Sequence, residues 1–150
     1  METLKLLNKK KVKEILNKIK EIYGINELKL DYLFYTNSDG KIFLLSKKFG
    51  DFDNKNLNIN SIGLYFANLS KGMRLSIEGS QLIGNLASKN VIDINEKQLK
   101  SWLRGEDLEI NEDCNGFVLI KNGNDFYGSG KIANNKILNF VPKDRRIIAV

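Results

Sequence analysis

Residues 116–143 read GFVLIKNGNDFYGSGKIANNKILNFVPK, and this stretch decides the fold. Apolar residues gather in Phe117 to Lys121, Asp125 to Ile132 and Lys136 to Val141, each run the length of a strand. Asn122-Gly123 and Asn134-Asn135 lie between them, and such pairs readily take the left-handed backbone that a tight hairpin turn demands. Three successive antiparallel strands are predicted. Pro142 should end the last, because it has no N–H to give to a ladder.

Upstream of this β-rich end the pattern mixes. Asn95 and Gln98 have the spacing of a capping box, Leu99, Trp102 and Leu103 form an apolar stripe, and Gly105 follows as a stop, which predicts a short helix. Val91 to Ile94 reads as a strand, Glu78 to Ala87 as a helix, and Arg74 to Ile77 as a short extended piece. Ile62, Leu64 and Phe66 alternate with small or polar neighbours, as in a half-buried strand. Residues 50–60 are rich in Asn and Asp and read as a connector. Before it, Leu28 to Tyr35 and Lys41 to Lys47 flank the turn Asn37-Ser38-Asp39-Gly40 and predict a hairpin. Residues 3–23 place Val12, Ile15, Leu16, Ile19, Ile22 and Tyr23 on one helical face, with Gly24 as a left-handed cap. The expected class is α+β, with an accessory helix-plus-hairpin region at 1–60 and a second unit at 61–150.

The 150 residues carry one cysteine, Cys114, so no intramolecular disulfide can form, and a reducing compartment fits the composition. The first residues are charged where a signal peptide needs an apolar stretch, and no apolar run reaches about 18 residues. A soluble cytoplasmic protein is expected. Net charge is +6, which favours association with polyanions and makes that attraction salt-dependent.

Chemistry of the enzymatic kind finds little support. Histidine is absent, which removes the commonest general base and the commonest metal ligand. Cys114 follows Glu112-Asp113, an environment that disfavours a thiolate. Gly123 and Gly128 have the spacing of a phosphate loop. However, Ser129 stands where its lysine should be, Ile132 follows Lys131 where a hydroxyl should be, and both flanks read as strand. Gly128 and Gly130 fit a bulge or a close backbone approach better. Asp51 and Asp53 have no further metal ligands near them in sequence. No catalytic residue, cofactor or metal site is expected.

Cations fall into two sets. Lys9, Lys10, Lys11, Lys13, Lys18 and Lys20 belong to the first helix, where charge is ordinary. Lys131, Lys143, Arg145 and Arg146, with Lys71 and Arg74 earlier in the same unit, form the sharper set, since guanidinium groups grip phosphates in a two-pronged manner. Aromatic stacking is the other ingredient of RNA recognition. Of Tyr65, Phe66, Phe117, Phe126, Tyr127 and Phe140, the alternation turns Tyr127 outward, while Phe66, Phe117 and Phe140 read as core, as does Trp102.

Three blocks carry a resemblance. The first is Gly63-Leu64-Tyr65-Phe66 through Lys71-Gly72 to Ser76-Ile77-Glu78, and the second is Leu99-Lys100-Ser101-Trp102-Leu103-Arg104-Gly105-Glu106. The third joins Gly116-Phe117-Val118-Leu119 to Tyr127-Gly128-Ser129-Gly130-Lys131 and to Lys136 through Arg146. In order and spacing they resemble the PUA-like RNA-binding domain at the C-terminus of bacterial rRNA cytosine methyltransferases of the Nol/Nop/Fmu group. Ser129 departs from the aromatic often found between the two glycines. No nucleotide-fold glycine motif or catalytic cysteine pair precedes these blocks, so the chain looks like a stand-alone, archaeal-type version. The resemblance implies a PUA-like β-pseudobarrel with packed helices at 61–150 and RNA, ribosomal or transfer, as ligand. It implies a non-catalytic role in RNA maturation or ribosome biogenesis, with any chemistry left to a partner such as a methyltransferase or assembly factor. The RNA-binding residues it points to are Lys71, Arg74, Arg104, Tyr127, Gly128, Gly130, Lys131, Lys143, Arg145 and Arg146, with Lys136 as an addition at a turn. The rival readings are a protein-interaction adaptor and an enzyme with an unfamiliar site.

Overall fold

In a computed structural model of the chain, the described residues are 4–47, 63–111, 116–141 and 146. Cys114, Asp51, Asp53, Pro142, Lys143, Arg145 and the 50–60 connector lie outside them.

Helix α1 (Lys9–Tyr23) begins six residues later than its periodicity suggests. The Asn8 side chain accepts from the Lys11 N–H at 2.8 Å and so caps the helix. The residues before it form a short strand β1 (Lys5–Leu6) paired with Tyr35 and Thr36. Gly24 closes the helix in the left-handed conformation (φ 62°). Strand β2 spans Tyr32–Thr36 and β3 spans Lys41–Ser46. Leu28 and Leu30 enter the core without joining the sheet, because the ladder ends where Ser46 meets Tyr32. In the connecting turn, Asn37 Oδ1 accepts from the backbone N–H groups of Asp39 and Lys41 at 3.0 Å each.

Strand β4 (Leu64–Asn68) pairs antiparallel with β3 on one side and with β5 (Arg74–Leu75) on the other. The first sheet thus runs β1-β2-β3-β4-β5. Helix α2 (Ile77–Ile83) follows, capped by Ser76, whose hydroxyl accepts from Gly79 N–H at 2.8 Å. Its last turn continues as a 3-10 turn over Gly84–Leu86. The second sheet has the order β6-β8-β9-β10-β7. It contains β6 (Val91–Asp93), β7 (Leu108–Glu109), β8 (Gly116–Asn122), β9 (Asp125–Ala133) and β10 (Lys136–Asn139). β6 runs parallel to β8, and the other pairs are antiparallel. Helix α3 (Glu96–Leu103) carries the full capping box of Asn95 and Gln98.

The last strand stops two residues short of Val141. Asn139 accepts from the Val141 N–H at 2.7 Å through its own Oδ1, which turns the chain out of the ladder before Pro142 is reached. Its Nδ2 donates to the carbonyls of Trp102 and Glu106, and its backbone N–H donates to Asp107 Oδ1. This one residue ties the end of the β-rich region to the end of α3.

Among the described residues two large apolar cores result, beside a small cluster of Tyr35 and Leu45 with Leu4 and Leu33. One is built on Ile15, Ile19, Tyr23, Phe34, Ile42, Leu44, Phe66 and Met73, and it also receives Leu119 of β8 and Phe126 of β9. The other centres on Trp102, Val118, Ile120, Ile132 and Ile137. Strand β8 therefore feeds both, with Leu119 to one side and Val118 and Ile120 to the other. The first sheet draws strands from both sides of the boundary near Ser61 that the sequence suggests, while Ser61 itself lies outside the described residues.

Candidate nucleic-acid interface

Where the two sheets meet, a pocket of about 430 Å³ opens among Lys41, Tyr65, Asn68, Arg74, Glu78 and Phe140. Strand register assembles its polar wall: Lys41 lies opposite Asn68, and Asn68 opposite Arg74, so three polar side chains cross β3, β4 and β5 in one row. Directly paired residues share a face of a sheet. The floor comes from Ser76 and Ile77 at the start of α2 and from Gly128 and Ser129 of β9.

Cations and aromatic rings alternate along this seam. The Arg74 guanidinium lies 3.9 Å from the centre of the Phe140 ring. Phe140 tilts against Phe117 at 6.3 Å, and Lys131 Nζ sits 5.6 Å from the Phe117 ring centre. On the other side of the pocket, Lys41 Nζ stands 5.6 Å from the Tyr65 ring centre. Such contacts hold a cation without neutralising it, which leaves its charge for a ligand. Burial of Tyr65 pushes its phenol above the ordinary tyrosine value. A hydrogen bond from Asn68 and the charge of Arg74 oppose that rise, and Glu78 adds to it. Arg74 Nε is shielded from solvent and has no hydrogen-bond partner. Among the described residues no carboxylate forms an ion pair with Arg74.

Phe117 and Phe140, read from the sequence as core, are half-buried members of this surface. Their apolar-rich strands suggested a core, but β8 is apolar on both faces, so composition could not say which face was covered. The Phe117 ring rests on Gly72, where any Cβ would collide with it, and Gly72 has φ 112°. That contact sets the loop bearing the exposed Lys71 beside the aromatic row.

The remaining predicted residues are placed as follows. Gly128 (φ 93°) is the backbone of a β-bulge: Leu119 pairs with Ser129 and Lys121 with Phe126, so β9 holds one residue more than β8. Its N–H donates to Ser80 Oγ at 2.8 Å. Gly130 is buried, and a Cβ there would stand 2.8 Å from the Leu138 carbonyl and 2.9 Å from Trp102. Its smallness serves packing between β9, β10 and α3. Ser129 is buried as well and donates to the Leu75 carbonyl at 2.9 Å, joining the two sheets. Tyr127 packs in part against the second core, and its carbonyl accepts from Trp102 Nε1 at 2.8 Å. Arg104 is exposed and lies 4.0 Å from Glu106. Arg146 is half-buried, runs along Gly105 and donates from Nε to the Val141 carbonyl at 3.1 Å. Lys136 is exposed at the start of β10. Arg74 and Lys131 are thus brought into the aromatic row, with Lys71 beside it and Gly128 beneath it.

Lys41, Tyr65, Asn68, Glu78, Phe117 and Phe140 complete the surface and were absent from the predicted binding set. The hairpin register would have pointed to Lys41 had the pairing of β3 with β4 been known. On the flank, Lys11 and Lys18 of α1 border a shallower hollow with Leu69, Gly72 and Met73. Among the described residues no group of acidic, cysteine or histidine side chains is placed to hold a metal ion. Among them no helix is long and apolar enough to cross a membrane.

Residues 89–147 match the family described as the methyltransferase RsmF PUA domain. The chain is also similar to the ribosomal RNA small subunit methyltransferase F of Shewanella oneidensis, 30% identical over 109 residues. That stretch is 71% of this chain and 23% of the relative, so the chain spans less than a quarter of the relative's length. An alignment of that length takes in residues well before position 89, and so part of the first sheet or of α2. With its two sheets, its flanking helices and its β-rich end, the chain has the α+β architecture of a PUA-like pseudobarrel with an N-terminal region, and residues 89–147 are similar to the RsmF-type PUA domains.

Proposed function

We propose that this protein binds RNA along the cation–aromatic seam and acts in ribosomal RNA maturation without a catalytic site of its own. The observation that carries the reading is Arg74, a guanidinium with no ion pair among the described residues, laid on Phe140 at the mouth of a pocket, in line with Lys131 on Phe117 and Lys41 on Tyr65. Cations supply sequence-independent attraction to phosphates, and half-buried rings offer stacking surfaces to unpaired bases. Lys71 and the Lys11 and Lys18 side of α1 extend the same surface past Gly72. Lys143 and Arg145, which follow Phe140 and Val141 in the chain but lie outside the described residues, are proposed as further phosphate contacts. Arg104 and Arg146 form a second, smaller basic point at the end of α3. A cytoplasmic location and a methyltransferase or assembly factor as partner belong to this same reading.

Titrating the purified protein with labelled hairpin transcripts of small-subunit rRNA at rising salt tests it. Affinity should fall linearly on a log–log plot, with a slope of about 0.7–0.9 per phosphate contacted. Lys131→Ala should flatten that slope by about 1 and weaken binding to every transcript alike. Salt-independent binding, or none in dilute buffer, refutes the proposal.

A further inference from the structure

We propose that the pocket between Tyr65 and Phe140 holds the phosphate monoester at one end of an RNA strand, seated between Arg74 and Lys41. The inference rests on the RNA-binding reading above and gives the pocket a ligand of its own within it. What the lining can still bond decides the class of ligand. Asn68 Oδ1 already accepts from the N–H and the hydroxyl of Ser70, at 2.9 and 2.7 Å. The Ser76 hydroxyl accepts from Gly79 N–H and donates to the carbonyls of Tyr65 and Phe66. Ser129 gives its hydroxyl proton to the Leu75 carbonyl. Glu78 already holds an interaction, so no ligand contact is assigned to it. The two cations remain. Among the described residues neither forms an ion pair, and the rings they lie against do not cancel their charge. Together they outweigh the one carboxylate of the lining. Such a site selects an anion built of acceptors.

Position selects the kind of phosphate. Lys41, Asn68 and Arg74 are consecutive partners across β3, β4 and β5. Neighbouring strands lie about 4.8 Å apart, so the backbones of the two cations stand roughly 10 Å from each other across Asn68. Their long side chains can close on one phosphate from either side. A guanidinium fork takes two oxygens side by side, and an ammonium takes a third. A phosphate inside a strand offers two non-bridging oxygens. A terminal one offers three, and it carries a charge of about −1.5 to −2 at pH 7. The terminal group alone gives each of these donors an oxygen. The shape agrees, since a recess of about 430 Å³ admits a strand end with its last nucleoside. Tyr65 and Phe140 supply ring faces beside that base.

The experiment compares labelled single strands of one sequence and length, with hydroxyl ends, a 5′-phosphate or a 3′-phosphate. A further strand, one nucleotide longer with hydroxyl ends, carries its extra phosphate inside the chain. Wild-type protein should bind at least one phosphorylated strand about tenfold tighter than the hydroxyl strand, the effect of one charge-assisted contact. The preferred end gives the direction in which the RNA runs. The longer strand should gain less than about twofold, because its added charge has no fixed place in the pocket. Arg74→Lys and Lys41→Gln weaken RNA binding generally, so their readout is the ratio of phosphorylated to hydroxyl strand within each variant. That ratio should fall to about two or below, since the fork or the third donor is lost. Thermal unfolding verifies that both variants fold. Equal wild-type affinity for phosphorylated and hydroxyl strands overturns the pocket assignment and leaves RNA binding standing. So does a longer strand that gains as much as a phosphorylated one, or a ratio that survives in both variants. If wild-type protein binds none of the strands in dilute salt, both readings fall together.

Discussion

Arg74 and Tyr23 show opposite fates of a buried polar group. Arg74 offsets the shielding of its Nε with the face of Phe140, 3.9 Å away. Tyr23 is fully buried in the first core, and its hydroxyl has no partner. Leaving such a group unsatisfied costs roughly 1–3 kcal/mol. Burial also raises the Tyr23 phenol above its ordinary value. The folded state then keeps its proton after the unfolded chain has released it, so the fold loses stability as pH rises above about 10, by up to about 1.4 kcal/mol per pH unit. Tyr23→Phe should therefore raise stability by about 1 kcal/mol at neutral pH and flatten the alkaline loss. Urea unfolding of both proteins at neutral pH and above pH 10 measures the two effects, and an unchanged alkaline slope would contradict the burial argument. Trp102 was legible as packing from its place in the stripe of α3, and its indole N–H indeed finds the Tyr127 carbonyl. Phe117 and Phe140 were not, because an aromatic on a strand looks alike whether a neighbouring sheet or solvent covers it.

Local chemistry predicted the elements well where it was self-contained. The capping box of α3, the left-handed Gly24 and the Asn134-Asn135 turn (φ 53° and 62°) each need only residues within a turn of one another. Ends set by a distant partner escaped. Strand β2 starts at Tyr32 because its ladder partner runs out, and β10 stops at Asn139 because that side chain reaches both Val141 and the carbonyls of Trp102 and Glu106. Helix α1 presents a further case. Its lysines look like an ordinary solvated face until Lys11 and Lys18 are seen beside Leu69 and Gly72, next to the Phe117 ring. Changing both to Gln should leave stability within about 0.5 kcal/mol, since exposed substitutions rarely do more. It should also lower the salt slope of RNA binding by about 1 for each lysine that contacts a phosphate. The Lys11–Glu14 pair, 3.7 Å apart and exposed, does not alter that expectation. A slope identical to wild type removes α1 from the interface.

At the level of the complete fold, β4 is the hinge of the architecture. It hydrogen-bonds to β3 of the helix-plus-hairpin region, while Phe66 on the same strand packs in a core that Leu119 and Phe126 also enter. Residues 1–60 and 61–150 are expected to unfold together for that reason, whatever their separate origins. Chemical denaturation followed by Trp102 fluorescence and by far-ultraviolet circular dichroism should give coincident single transitions. Deleting residues 1–60 would strip the cover from Phe66, Met73 and Leu119 and should yield a protein that binds a hydrophobic dye or fails to fold. Two separated transitions would instead show independent units.

By itself the sequence determined the strands and turns of residues 116–141, the left-handed end of α1, the capping box of α3, the basic character and the likeness to PUA-like domains. Each of these is written in neighbouring residues or in an ordered set of short blocks. Which cations share a surface is a matter of tertiary structure alone. Arg74, Lys131 and Lys41 lie far apart in the chain, and they become one surface because two sheets meet at β5, α2 and the β9 bulge. Burial and register are properties of that meeting. A linear pattern records which residues can lie inward or outward, but not what stands across from them.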